Sequence, residues 1–226
     1  MEWSPGGRGT GEYVQVDTDT VSLEGELSIP EGTQGVILFV HGSGSSRHSP
    51  RNQYVARVLQ EGGLATLLFD LLTPEEEQID LVTRHLRFDI DMLARRTTGT
   101  VDWLRSYPAT DDLRVGLFGS STGAAAALIA AANRPKQAAA VVSRGGRPDL
   151  AAPALPDVQA PTLLIVGGLD TPVIGMNEQA MNMMSDSVEK KLTIVPGATH
   201  LFEEPGTLEE VARLARDWFR DHLLAD

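Results

Sequence analysis

Five almost uninterrupted apolar runs punctuate the sequence, at Val36–Val40, Ala65–Phe69, Val115–Phe118, Ala139–Val142 and Thr162–Val166. A strand with one wet face alternates apolar and polar residues, so runs like these mark strands buried on both faces. Between them lie segments with helical spacing, at about residues 50–61, 84–106, 122–133, 173–185 and 207–224. Strand and helix alternating in this way require right-handed crossovers, hence a mostly parallel sheet covered by helices on both sides. The expected class is α/β.

Three further segments complete the sheet. Glu12–Asp17 and Val21–Ile29 alternate with period 2 and read as an N-terminal hairpin, while the more amphipathic Lys191–Val195 belongs near an edge. In the last helix Leu208, Val211, Leu214, Ala215, Trp218, Phe219 and Leu223 form one apolar stripe, and Thr207 stands where a cap is expected. No linker, repeat or low-complexity tract divides the 226 residues, although Ala124–Ala132 is alanine-rich. A single domain over 1–226 is expected, with 1–11 as a flexible lead.

Composition removes several classes of function. A net charge of −12 repels phosphate backbones and anionic lipid, so neither nucleic acid nor a membrane is an expected partner. The absence of cysteine excludes disulfides, thiolate ligands and a cysteine nucleophile. No cofactor and no metal are expected. With no basic stretch leading into an apolar core, and no long apolar span, the expected setting is the cytoplasm.

Functional groups of open parallel sheets gather beyond the carboxyl ends of the strands. After Phe118 comes Gly119-Ser120-Ser121-Thr122-Gly123, followed at once by a run of alanines. In a chain with 22 glycines the pentapeptide alone is weak evidence, but a strand–turn–helix setting is specific: it lifts a serine above the sheet on a turn too tight for flanking side chains. A serine needs a base, and the base works best with a carboxylate to orient it. Asp170 follows the strand Thr162–Val166 and His200 follows Lys191–Val195, so Ser121, Asp170 and His200 are the candidate catalytic groups. Aspartate is also common in turns for its own backbone hydrogen bonds, which is the competing reading of Asp170.

Among the remaining histidines, His48, His85 and His222 are expected in solvent, and His41 is the serious rival. It opens the small-residue loop His41-Gly42-Ser43-Gly44-Ser45-Ser46, which faces the serine turn and can offer an N–H to a developing oxyanion. Thr122 N–H and Ser43 N–H are the expected oxyanion donors, with Gly44 the alternative to Ser43. His41 then holds the loop in shape.

Taken together, the His-Gly loop, the Gly119–Gly123 turn, Gly-Gly-Leu-Asp-Thr-Pro and Gly-Ala-Thr-His-Leu-Phe-Glu-Glu-Pro-Gly resemble an α/β hydrolase of the dienelactone-hydrolase-like branch, over nearly the whole chain. The resemblance implies an α/β-hydrolase fold with an eight-stranded sheet whose first strands are antiparallel. It also implies a triad of Ser121, Asp170 and His200 in that chain order. Dienelactone hydrolases proper use a cysteine where this chain has Ser121, so a serine-esterase mechanism is implied and the dienelactone substrate is not. The expected function is a carboxylesterase acting on a small-molecule ester through an acyl-enzyme, as monomer or homodimer. Transfer to another acceptor, thioester or lactone cleavage, and a silent binding protein are the alternatives.

The segments around the site carry the remaining expectations. Leu71–Asp80 reads as an acidic loop leading into a helix, with Glu75–Glu77 as a solvated face, and Ser143–Leu150 as a second short insertion. Neither builds a large lid. Leu71, Leu72, Ile79 and Leu81 on one side and Leu150, Leu155 and Val158 on the other are candidate walls of a shallow pocket suited to short acyl chains. Arg144 either binds a substrate carboxylate or pairs with Asp149.

Overall fold

The computed structural model describes residues 11–18 and 21–224, so the expected flexible lead falls, apart from Gly11, outside the described residues. Eight strands form one sheet: β1 (Glu12–Asp17), β2 (Ser22–Ser28), β3 (Gly35–Val40), β4 (Ala65–Phe69), β5 (Arg114–Ser120), β6 (Ala138–Arg144), β7 (Thr162–Gly167) and β8 (Lys190–Val195). Their order is β1-β2-β4-β3-β5-β6-β7-β8, with β1/β2 and β2/β4 antiparallel and all later pairs parallel. This is an open α/β-hydrolase-type sheet.

Among the described residues six α-helices cover it: α1 (Pro50–Glu61), α2 (Pro74–Thr83), α3 (Ile90–Ser106), α4 (Thr122–Asn133), α5 (Thr171–Met183) and α6 (Thr207–Leu223). The pleat sends alternate residues to opposite faces. Thus Leu38, Leu117 and Val141 pack under α3, α4 and α5, while Phe39, Phe118 and Val142 pack under α1 and α6 against Val55, Leu59, Val211 and Phe219. α4 is buried almost all round, which its alanines permit; α6 buries one stripe and turns Glu210, Arg213 and Asp217 outward as ion pairs.

Four local expectations change. Leu71–Asp80 is mostly the helix α2, opened by a capping box: Thr73 Oγ1 accepts Glu76 N–H and the Glu76 carboxylate accepts Thr73 N–H. Glu76 is therefore not part of a solvated face, for Arg96 also grips its carboxylate with two bonds of 2.6 Å. The helix expected over 84–106 is broken, because Arg84 turns left-handed (φ 56°) and Asp89 caps a new helix by accepting Met92 N–H. At α6 the cap is Gly206 (φ 82°), and Thr207 is the first helical residue, donating its hydroxyl to Glu204 O.

Candidate active site

Ser121 sits between β5 and α4 with φ 51° and ψ −121°, a conformation that L-residues rarely adopt and that the surrounding packing must enforce. The flanking glycines are required by close approach. A Cβ at Gly119 would overlap the Ala124 backbone, and one at Gly123 would overlap the carbonyl oxygens of Val40 and His41. The turn thus presses the head of α4 onto the end of β3 and leaves the Ser121 side chain standing clear.

Two other strand ends meet it. His200 Nε2 lies 3.3 Å from Ser121 Oγ, and His200 Nδ1 lies 2.6 Å from Asp170 Oδ2. Because the carboxylate can only accept, Nδ1 carries the proton and Nε2 turns its lone pair to the serine hydroxyl. Asp170 occupies the cap position of α5 yet makes no side-chain cap bond, so its carboxylate is committed to the imidazole and not to a turn. The His200 side chain is 38% exposed and that of Asp170 14%, an arrangement open to a ligand on one side and supported on the other. Phe202, buried at φ 56°, anchors the loop from below, and Glu204 ties it by accepting Thr199 Oγ1–H at 2.6 Å and Thr199 N–H at 3.1 Å. These bonds hold the Glu204 carboxyl below its usual range.

His41 is placed differently. Its Nε2 accepts Leu71 N–H at 3.1 Å, which fixes the tautomer, so Nδ1–H donates to Gly42 O at 3.0 Å. Burial pushes its pKa down, and the ring stays neutral. It reaches neither Ser121 nor Asp170; it ties the loop after β3 to the segment after β4.

The first N–H of α4, that of Thr122, makes no hydrogen bond among the described residues, as a helix N-terminus allows. Ser43 N–H points at the same corner but is engaged, donating to Thr122 Oγ1 at 2.9 Å, whereas Gly44 N–H has no partner among the described residues. Thr122 thus reaches the loop through its hydroxyl, a contact no sequence motif announces.

A cleft of about 120 Å³ opens from this loop toward α2, lined by Ser43, Gly44, Leu71, Leu72, Leu81 and Arg87 among others. Arg87 is held there by buried Asp80, which accepts its Nε–H at 2.5 Å. The second expected wall is missing, since Leu155 and Val158 are wholly buried in the core and Leu150 packs against it; from the first wall Ile79 drops out and faces solvent. Arg144 does not pair with Asp149, which Arg147 holds through two bonds of 2.8 Å. Burial, and then the charge of Arg51, push the Arg144 guanidinium down to about 10. Of the other histidines, His48 and His85 are exposed, while His222 lies against Trp218 with its Nδ1 2.7 Å from Trp218 O. No group of three or more His, Asp and Glu among the described residues is placed to hold a metal, and no described helix is long and apolar enough to cross a membrane.

Comparison with known proteins gives the following. The model of the dienelactone hydrolase family matches residues 23–223. The crystal structure of a dienelactone hydrolase from Anabaena variabilis is 61% identical, with a TM-score of 0.92, covering 95% of this chain and 99% of that one. A Mycobacterium tuberculosis protein named provisionally as a phosphoribosyl transferase is 57% identical over 212 residues, which are 94% of this chain and 46% of that protein. The chain therefore spans about half the length of the curated relatives it matches. Est1E from Butyrivibrio proteoclasticus shares the fold at a TM-score of 0.77 and 16% identity, covering 94% of this chain and 98% of that one.

Proposed function

The chain belongs to the dienelactone hydrolase family, and on that premise we propose that it is a serine hydrolase that cleaves small or short-chain carboxylic esters through an acyl-enzyme. The observation that carries this reading is the continuous line Ser121 Oγ, His200 Nε2, His200 Nδ1, Asp170 Oδ2. Ser121 Oγ attacks the ester carbonyl carbon while its proton passes to His200 Nε2. Asp170 holds Nδ1–H and stabilises the imidazolium. The carbonyl oxygen, now anionic, is met by Thr122 N–H and an amide of the 41–46 loop. An oxyanion is a stronger acceptor than a neutral hydroxyl, so it competes with Thr122 Oγ1 for Ser43 N–H, and Gly44 N–H is the alternative. His200 then gives its proton to the departing alkoxide, the C–O bond breaks, and the alcohol leaves. Water, deprotonated by the same Nε2, releases the acid from Ser121.

The name of the Mycobacterium relative attaches to a chain about twice as long, and the groups gathered around Ser121 serve acyl transfer. The testing experiment is turnover of p-nitrophenyl acetate by the chain and by Ser121→Ala. The substitution is expected to remove activity above the level of a surface histidine while leaving Tm nearly unchanged. Retained turnover means that another group is the nucleophile.

A further inference from the structure

Arg144 ends β6, one strand from the elbow. Its carbonyl accepts Ser121 N–H at 3.2 Å, and the next residue, Gly145, lies against His200. Strand alternation puts the Arg144 side chain on the face of Ala140 and Val142, toward the first turn of α1, where Arg51 makes itself felt as a neighbouring charge. The residue is 7% exposed, and both Nε and Nη1 are buried without a hydrogen-bond partner. No carboxylate among the described residues pairs with it. Arg51 Nε is likewise buried and unbonded, and Arg51 Nη1 reaches Glu203 at 3.1 Å. Against these two guanidinium charges stands one carboxylate, Glu203, which is bonded to Arg51 and not to Arg144 and is itself 63% exposed.

A buried cation without a partner is strongly disfavoured, and a fold that keeps one is spending stability on something else. We propose that Arg144 and Arg51 form an anion-binding subsite beside Ser121 and His200, which takes a carboxylate or phosphate group. One negative charge neutralises the surplus, and the fork of N–H donors on each guanidinium matches the oxygens of either group. The placement of this ligand next to a reacting ester rests on the serine-hydrolase reading; the existence of the subsite does not.

The experiment has two arms. In the first, thermal unfolding of the chain and of Arg144→Met is followed at fixed ionic strength in chloride, in acetate and in inorganic phosphate. The chain gains Tm in phosphate or acetate over chloride, and Arg144→Met does not. In chloride the variant melts at or above the temperature of the unsubstituted chain, because it has lost an unpaired buried charge. A lower melting point in chloride, or an equal gain in both proteins, overturns the subsite. In the second arm, kcat/KM for mono-p-nitrophenyl succinate is divided by that for p-nitrophenyl acetate. The ratio falls about tenfold in Arg144→Met, the loss expected for one charge-assisted pair, and the change lies in KM. A response in this arm assigns the anion to the substrate, and a response in the thermal arm alone assigns it to a free ion; no response in either overturns the proposal. Should neither ester be turned over, the hydrolase reading fails while the thermal arm still decides the subsite.

Discussion

The loops after β3 and β8 each place a histidine just past the carboxyl end of a parallel strand, among small residues, and beside the same elbow. Their outcomes are opposite. His41 is enclosed, with both ring nitrogens bonded to main-chain groups and its basicity lowered by burial. His200 is more than a third exposed, with one nitrogen fixed by a carboxylate and the other facing a hydroxyl. What distinguishes a base from a brace is whether the second nitrogen faces a reacting group or a backbone amide. A neutral His41 braces well because its two nitrogens differ, one accepting and one donating.

The sharpest way to break this contrast is to substitute each histidine in turn. His200→Ala is expected to lower kcat/KM for p-nitrophenyl acetate by about ten-thousandfold or more, the scale of triad members acting as a unit, with little change in Tm. His41→Ala strands Leu71 N–H and empties a buried site, costing about 1–3 kcal/mol for the amide alone, or roughly 2–4 °C in Tm per kcal/mol at this size. Its activity loss comes through the loop. Equal kinetic losses with an unchanged melting point for His41→Ala reassign the base.

Stability against pH sharpens the contrast next. The folded His41 pKa lies below its unfolded value of about 6.5. The unfolded chain therefore binds the proton more readily. Stability from this residue is complete above about pH 6.5 and drains away as pH falls toward the folded value. A second loss follows below about pH 4, where Glu76, held down chiefly by its hydrogen bonds to Arg96, takes up its proton and loosens α2 beside the cleft. Urea unfolding at stepped pH reads both, and a profile flat from pH 7.5 to 5 contradicts the enclosed, neutral His41 (about these values the unfolded imidazole titrates).

The smallest effect concerns the cleft beside the His41 loop. It has one apolar wall, from Leu71, Leu72 and Leu81, and it is interrupted by the Asp80–Arg87 pair. A long acyl chain gains about 0.8 kcal/mol per methylene only where that methylene is buried. Across p-nitrophenyl esters kcat/KM is expected to peak at acetate or butyrate and then decline by small factors. A maximum at octanoate shows that the cleft extends into a groove.

Much of this was legible in the residues. Continuous apolar runs located the parallel strands within a residue or two, since burial on both faces leaves a chain no polar positions to offer. The elbow was legible for the opposite reason: only glycine fits at 119 and 123. Helix α2 is harder to see in the sequence: Thr73, Pro74 and Glu76 spell out its cap, but three glutamates in a row suit a solvated acidic loop as well as a first turn. The partnerships of Glu76 with Arg96, Thr122 with Ser43, and Asp149 with Arg147 could not be read at all. Each depends on which side chain arrives first at a shared corner, and sequence spacing carries no such information beyond one helix.

That Ser121 is an activated nucleophile is tested most directly by labelling with a fluorophosphonate probe followed by peptide mass mapping. The folded chain is expected to carry the adduct on the peptide containing Ser121, with labelling abolished in His200→Ala and retained in a His41 variant that still folds. An adduct on a different serine, or none on the folded chain, contradicts the line from Ser121 through His200 to Asp170.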